Sequence, residues 1–270
     1  MAPVLQNDFS IRAVTVFVNL HHSDFVLTSN QFGEIGMQKK INDAVSAGRC
    51  IERALVNSGY TVQTLRITTN DFPSYLIPPD VSESEKTMPF QHRLCLLVAA
   101  LRSHNINFCS VGNSSSRMTA TYIPTIINSS SGILYCSANV PSDSSMGHAR
   151  AAAFALMTIN HTNPTGNSRF YCNTNNGVDE YAYVPFFPAS RSDNEGSGVR
   201  GFSLGLENGT LVKKLLKLAG SIVNVEEVLS KGMLEALDPV ARICGETAGK
   251  CGCKFLGIDP SINFPLSPEE

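Results

Sequence analysis

The chain has no tryptophan, only 8% aromatic residues and only 16% charged residues, against 43% hydrophobic ones. So little charge beside so much apolar material excludes a disordered or fibrous chain and suits a globular protein with a large core. The net charge of −2 removes any broad pull toward nucleic acid or anionic lipid. No basic–aromatic stripe is present, which excludes a nucleic-acid platform. No window reaches 18 uninterrupted apolar residues, so no membrane span is expected. The opening MAPVLQNDFSIRAV lacks the basic and apolar regions of a secretory signal. Eight cysteines in 270 residues fall well below disulfide-scaffold density, and Cys95 and Cys136 lie inside apolar patterns. With no export signal, the reading is reduced thiols in a cytoplasmic setting.

What is present is an alternation of strand-like and helix-like segments. Ile11 to Leu20 is a β-branched run that reads as a buried strand. Gln38 to Ser58 repeats apolar residues at helical spacing and stops at Gly59, a C-cap residue. Thr61 to Thr68 alternates as a strand, and Asn70 to Pro89, with four prolines, reads as a long loop. A helix over Phe90 to Ser103 and a strand over Asn107 to Val111 follow, and Gly112 to Arg117 opens another loop. Further strands are expected at Gly132 to Val140, Phe170 to Asn173, Tyr181 to Phe187, Val199 to Glu207 and Cys253 to Ile258. Helices are expected at Tyr122 to Asn128, Met146 to Ile159, Gly209 to Leu218 and Val225 to Ala248. This order predicts an α/β architecture with residues 1–10 as a tail and 11–270 as one domain. Its polar loops gather at the carboxyl ends of the strands, where ligands bind in such folds.

Each chemical constellation has a plain competitor. Cys244, Cys251 and Cys253 in CGETAGKCGC cluster tightly, but a closed zinc site needs four ligands, and no CxxC or nearby histidine completes this one. No metal is assigned there. Gly112-Asn-Ser-Ser-Ser-Arg117 follows a strand and offers backbone N–H groups and a cation to an anion, although any turn needs short polar residues. Asn113 and Arg117 are its ligand candidates. Cys136, followed by Ser137, Asn139 and then His148, has the elements of an activated thiol; a buried strand cysteine is the plain alternative. The adjacent acids Asp179 and Glu180 suit proton transfer or a solvated Asn-Gly turn. Lys250 to Pro265 reads as a strand that stops at Asp259 and turns through Pro260, presenting Ser261 and Asn263 on a loop.

Five segments, taken in order, carry a resemblance. They are IRAVTVFVN (11–19), NINFCSVGNSSS (105–116), ILYCSANV (133–140), FSLGLENGTLVKKLL (202–216) and FLGIDPSINFP (255–265). The chain resembles the bacterial and archaeal family called domain of unknown function 711. That resemblance implies a barrel-like α/β fold, partial or complete, of the pyruvate formate-lyase, glycyl-radical-enzyme type, in a family not known to carry a glycyl radical. It also implies a small amino- or keto-acid ligand, since family members are often encoded beside small amino-acid-binding regulatory domains. By resemblance Cys136 falls where the family often has a cysteine, and Asp259 and Ser261 fall on an Asp-x-Ser motif. Family members continue for well over a hundred further residues, with glycine-rich and His-Gly segments, so the resemblance implies a truncated product or half of an assembly. The expectation is an enzyme acting on a small carboxylated metabolite. Cys136 and Asp259 would be catalytic, with Asn113, Arg117, Asn139, Asn173 and Ser261 binding substrate. The competitors are a non-catalytic binding or regulatory protein and an inactive family member. Cofactor and reaction stay open, as does the choice between a homo-oligomer and a small regulatory partner.

Overall fold

The structure is a computed structural model and describes residues 8–25, 36–79, 86–114, 116–140, 146–173, 183–187, 190–193 and 195–262. Seven strands form one sheet in the order β5-β4-β3-β2-β1-β6-β7. They are β1 (Ser10–Asn19), β2 (Leu65–Thr69), β3 (Cys109–Ser114), β4 (Leu134–Asn139), β5 (Phe170–Asn173), β6 (Gly198–Glu207) and β7 (Phe255–Asp259). The pairs β2–β3, β3–β4, β4–β5 and β6–β7 run parallel. The α/β expectation is met. The sheet is open, with β5 and β7 at its two ends, so of the partial or complete barrel expected the complete one is not formed.

Packing groups the chain into two compact units: unit 1 is Met1–Thr15, Ala47–Leu65 and Gly201–Glu270, and unit 2 is Val16–Ser46 and Arg66–Arg200. Unit 2 is built from successive strand–helix steps, with α2 (Thr87–Ser103), α3 (Arg117–Ala120), α4 (Ile123–Ser129) and α5 (Met146–Thr162). Its inner strands β2 and β3 are buried on both sides, as parallel strands under helices are, while the edge strand β5 exposes Tyr171 and Cys172. Every residue of β2 and β3 is buried, and Leu94, Leu97, Val98 and Leu101 of α2 form an apolar stripe at i, i+3, i+4 and i+7. The helix α1 (Gly36–Asn57) leaves through Gly59 at φ 89°, where Tyr60 N–H reaches the Leu55 carbonyl at 3.1 Å. The C-cap read from the sequence is therefore real.

Two sequence readings shift in unit 2. Gly112 to Ser114 continues β3 instead of opening a loop, because Gly112 adopts φ +72° and the register with β4 slips between Ser110 and Asn113. Such an irregularity keeps the strand paired while re-aiming its side chains. Residues 183–187 form turns and bends, not the strand expected there. The Asp179–Glu180 pair and Asn263 lie outside the described residues.

Unit 1 pairs β6 with β7 and packs α6 (Gly209–Ala219) on α7 (Val225–Lys250). Gly201 makes the strand pair possible. A Cβ there would fall 2.5 Å from the Lys254 carbonyl oxygen, the group that accepts the Phe202 N–H at 2.8 Å. Gly232 plays the same part between helices, since a Cβ would meet the Leu215 side chain at 2.3 Å. Cys50, in the second half of α1, and Cys251, which caps α7, are joined by a disulfide with Cα atoms 6.2 Å apart. This corrects the expectation of eight reduced thiols. The two cysteines are 201 positions apart, so the tertiary fold and not local sequence makes them neighbours.

Candidate functional site

In unit 2 the carboxyl ends of adjacent parallel strands deliver polar side chains to one hydrogen-bonded cluster. Asn113, on the slipped end of β3, is its hub. The Asn113 Oδ1 accepts from the hydroxyl of Ser137 on β4 and from Nδ2 of Asn173 on β5 at 3.3 Å. The Asn113 backbone N–H donates to Oδ1 of Asp71, just beyond β2, at 2.8 Å. Arg191 donates from Nη1 to the other Asp71 oxygen at 3.3 Å. All four of Asn113, Ser137, Asn173 and Arg191 are buried. Gly112 is what lets Asp71 approach: a Cβ would fall 2.8 Å from the Asp71 Cα.

Burial pushes the Asp71 carboxyl above its ordinary range, and the Asn113 N–H and the Arg191 guanidinium only partly offset it. Desolvation therefore wins over a single 3.3 Å contact with a cation. Several polar atoms nearby are underused. Nε of Arg191, Oγ of Ser192 and Oδ1 of Asn139 are buried without a hydrogen-bond partner among the described residues. Buried polar atoms in native proteins are usually paired, so these three leave hydrogen-bonding capacity beside the cluster.

The end of β1 adds a second polar group within unit 2. Asn19 Nδ2 donates to Asp193 Oδ1 at 2.9 Å, while Asp193 Oδ2 accepts from the Tyr183 hydroxyl and from Arg200 Nη2 at 2.9 Å. Burial raises the Asp193 carboxyl, but the bonds from Tyr183, Asn19 and Arg200 together outweigh it and hold it below its ordinary value. Next to Asn19, Asn70 bridges the backbone of Leu20, accepting its N–H at 2.8 Å and donating to its carbonyl at 3.0 Å.

The sequence candidates fare unevenly. Asn113 and Asn173 meet directly, and Asn139 stands opposite Asn173 in the β4–β5 register. Arg117 is exposed on a four-residue helix, and its Nη1 lies 2.4 Å from where a Cβ on Gly147 would sit. Cys136 is completely buried, and burial drives its thiol far up, only partly countered by Arg169. A thiol held protonated in this way behaves as a small hydrophobe, the plainer of its two readings. Asp259 and Ser261 belong to unit 1, where Ser261 donates its N–H back to Asp259 Oδ1 at 2.9 Å in an exposed Asx turn. Unit 1 also holds an open cleft of about 400 Å³ lined by Asp8, Ser10, Gln63, Glu207 and Thr210, in which Gln63 bonds both Ser10 and Glu207. Among the described residues no group of three or more His, Cys, Asp or Glu side chains is placed to hold a metal.

Sequence reasoning missed Asp71 and Arg191. Asp71 sits in the proline-rich stretch after β2, and Arg191 follows a run of turn residues, so both read as solvated loop charges. The available signal was position alone: Asn70-Asp71 falls at a strand end, as Asn113 does.

An open seven-stranded sheet with helices, parallel from β2 to β5 and carrying convergent amides and a buried acid–guanidinium pair at those strand ends, defines an α/β protein. The family model described as "Uncharacterised ACR (DUF711)" matches residues 3–268, and the chain belongs to that family. No curated protein matches it. No helix among the described residues is long and apolar enough to cross a membrane.

Proposed function

We propose that the strand-end cluster of unit 2 binds a small carboxylated metabolite, an amino or keto acid, and that Asp71 moves a proton on it. The observation that carries this is the convergence of Asp71, Asn113, Ser137 and Asn173 from four neighbouring strand ends on one hydrogen-bonded hub. Asn113, Asn139 and Asn173 offer amide donors and acceptors to a carboxylate or amino group, and Arg191 supplies a desolvated cation. A carboxyl raised by burial is the group in this cluster suited to acid–base work. Arg117 serves as a further, exposed counter-charge. Cys136 contributes packing beneath the cluster. Asp259 and Ser261, in unit 1, are proposed to form a second polar tip whose part in activity an Asp259→Asn variant tests. The succession of parallel strand–helix units also supports kinship with a pyruvate formate-lyase-like scaffold. A shared fold does not transfer radical chemistry.

A second reading, a non-catalytic sensor of the same ligand class, is favoured by the dominance of amides, which bind and do not titrate. Thermal-shift screening of the full chain against amino and keto acids, followed by mass-spectrometric detection of product, separates the two. A ligand that binds only the folded form raises its melting temperature. In the enzyme reading Asp71→Asn abolishes turnover while the ligand shift persists; in the sensor reading no product forms with either protein. Melting curves unmoved across the whole panel would overturn both.

A further inference from the structure

We infer that Cys50 and Cys251 form a reversible thiol–disulfide clasp in unit 1, a redox modification site that fastens the end of α7 to α1. Two observations carry it. Both residues are only partly buried, so the pair lies near the surface of unit 1. Cys95 and Cys172 are exposed free thiols in the same chain, and exposed thiols persist where the surroundings are reducing. A single disulfide in such company is of the transient or sensing kind; structural staples occur in oxidising compartments.

The position gives the clasp something to control. Cys251 caps α7, its N–H bonding the Thr247 and Ala248 carbonyls at 3.1 Å, and β7 begins four residues later. Opening the bond frees this junction from α1 and leaves β7 held by its pairing with β6 and its contacts with α7. The third cysteine of the cluster, Cys253, donates weakly from Sγ to the Ala248 carbonyl at 3.9 Å, and burial raises its thiol. At neutral pH it stays protonated and does not displace the pair.

Closure proceeds by exchange with a small-molecule disulfide such as oxidised glutathione. The Cys50 thiolate attacks one sulfur of that disulfide and one small thiol leaves. The Cys251 thiolate then attacks Cys50 Sγ and a second small thiol leaves. Two electrons pass from the cysteines to the small disulfide, and the two cysteine protons end on the departing thiols. Reduction reverses the sequence.

The test is a redox titration of the full chain in glutathione buffers stepped from fully oxidised to fully reduced. Each sample is trapped by alkylation, peptide-mapped and melted in parallel. The expected result is a Cys50–Cys251 peptide in the oxidised buffers and its loss within the series. A fall of several degrees in melting temperature should accompany opening. Cys50→Ser and Cys251→Ser should melt at one temperature across all buffers. Alkylation of both cysteines even in the most oxidising buffer overturns the clasp. A bond that stays closed in the most reducing buffer makes it a permanent staple and equally overturns the inference. Because the titration reads the unmodified chain, the test stands even where a serine variant fails to fold.

Discussion

Asp71, Gly112 and Asn113 behave as one device. Gly112 at φ +72° is the price of bringing the Asn113 N–H to Asp71, and a side chain there meets backbone, which does not yield. Gly112→Ala combines left-handed strain with overpacking, each costing about 1–3 kcal/mol. Urea unfolding should show a loss of about 2–6 kcal/mol on these terms, with ligand shifts lost as well. A loss under about 0.5 kcal/mol, the size of an ordinary surface change, would remove the argument that this glycine is required. Cys136 gives the contrasting case. Fully buried and protonated, it predicts that Cys136→Ala costs about 1–2 kcal/mol as a small cavity yet leaves any turnover within a few fold. Turnover that vanishes in a folded Cys136→Ala protein would restore the thiol as nucleophile. Tyr183 shows how a non-glycine residue tolerates φ 66°: its ring meets Phe17 edge-on at 5.2 Å, its N–H reaches the Arg191 carbonyl at 3.0 Å, and its hydroxyl bonds Asp193.

Among the elements, the strand pair β6–β7 depends on backbone approach more than on side chains. Gly201→Ala should push the Lys254 carbonyl away from the Phe202 N–H, and hydrogen exchange at Phe202 should speed at least tenfold while the strands of unit 2 keep their protection. Unchanged exchange at Phe202 would show that the pair tolerates a methyl group after all. The alternation that places these elements was legible because period-2 and period-3.6 patterns are local: β1, α1, β5, β6 and α6 fall within a residue or two of where the sequence puts them. The misreadings were of two kinds. Gly112-Asn-Ser-Ser looks like a loop because its residues favour turns, yet parallel neighbours hold it in the sheet through a register slip. Cys50–Cys251 and Asp71–Arg191 are pairings across 201 and 120 positions, and no local pattern encodes which distant charge or thiol a loop will meet. The placing of Asn113 and Asn173 at strand ends was legible for the opposite reason, since one follows a recognisable strand and the other closes one.

Across the molecule, the two strand-end carboxyls of unit 2 should tilt stability in opposite directions with pH. Asp71 is raised in the folded state, so between its unfolded value and its folded value the native protein holds a proton that the unfolded chain has released. Stability therefore falls as pH rises from the ordinary carboxylate range, near about 4, through the folded value. Asp193 is lowered, so its contribution is present above its unfolded value and is lost as pH falls through its folded value. Arg191 and Asn113 face the first group; Arg200, Tyr183 and Asn19 face the second. Urea unfolding at steps from acid to neutral pH, on the parent chain and on Asp71→Asn and Asp193→Asn, isolates each limb as a difference. The parent should lose ground to Asp71→Asn as pH rises and gain on Asp193→Asn over the acid part of the range. Where Asp71 is ionised, the absolute cost of Asp71→Asn includes leaving the buried Arg191 without its anion. Only the slope reports the carboxyl. A parent-minus-Asp71→Asn difference that stays level from pH 3 to pH 7 would mean that Asp71 ionises as freely in the fold as outside it, and the acid–base role proposed for it would lose its physical basis.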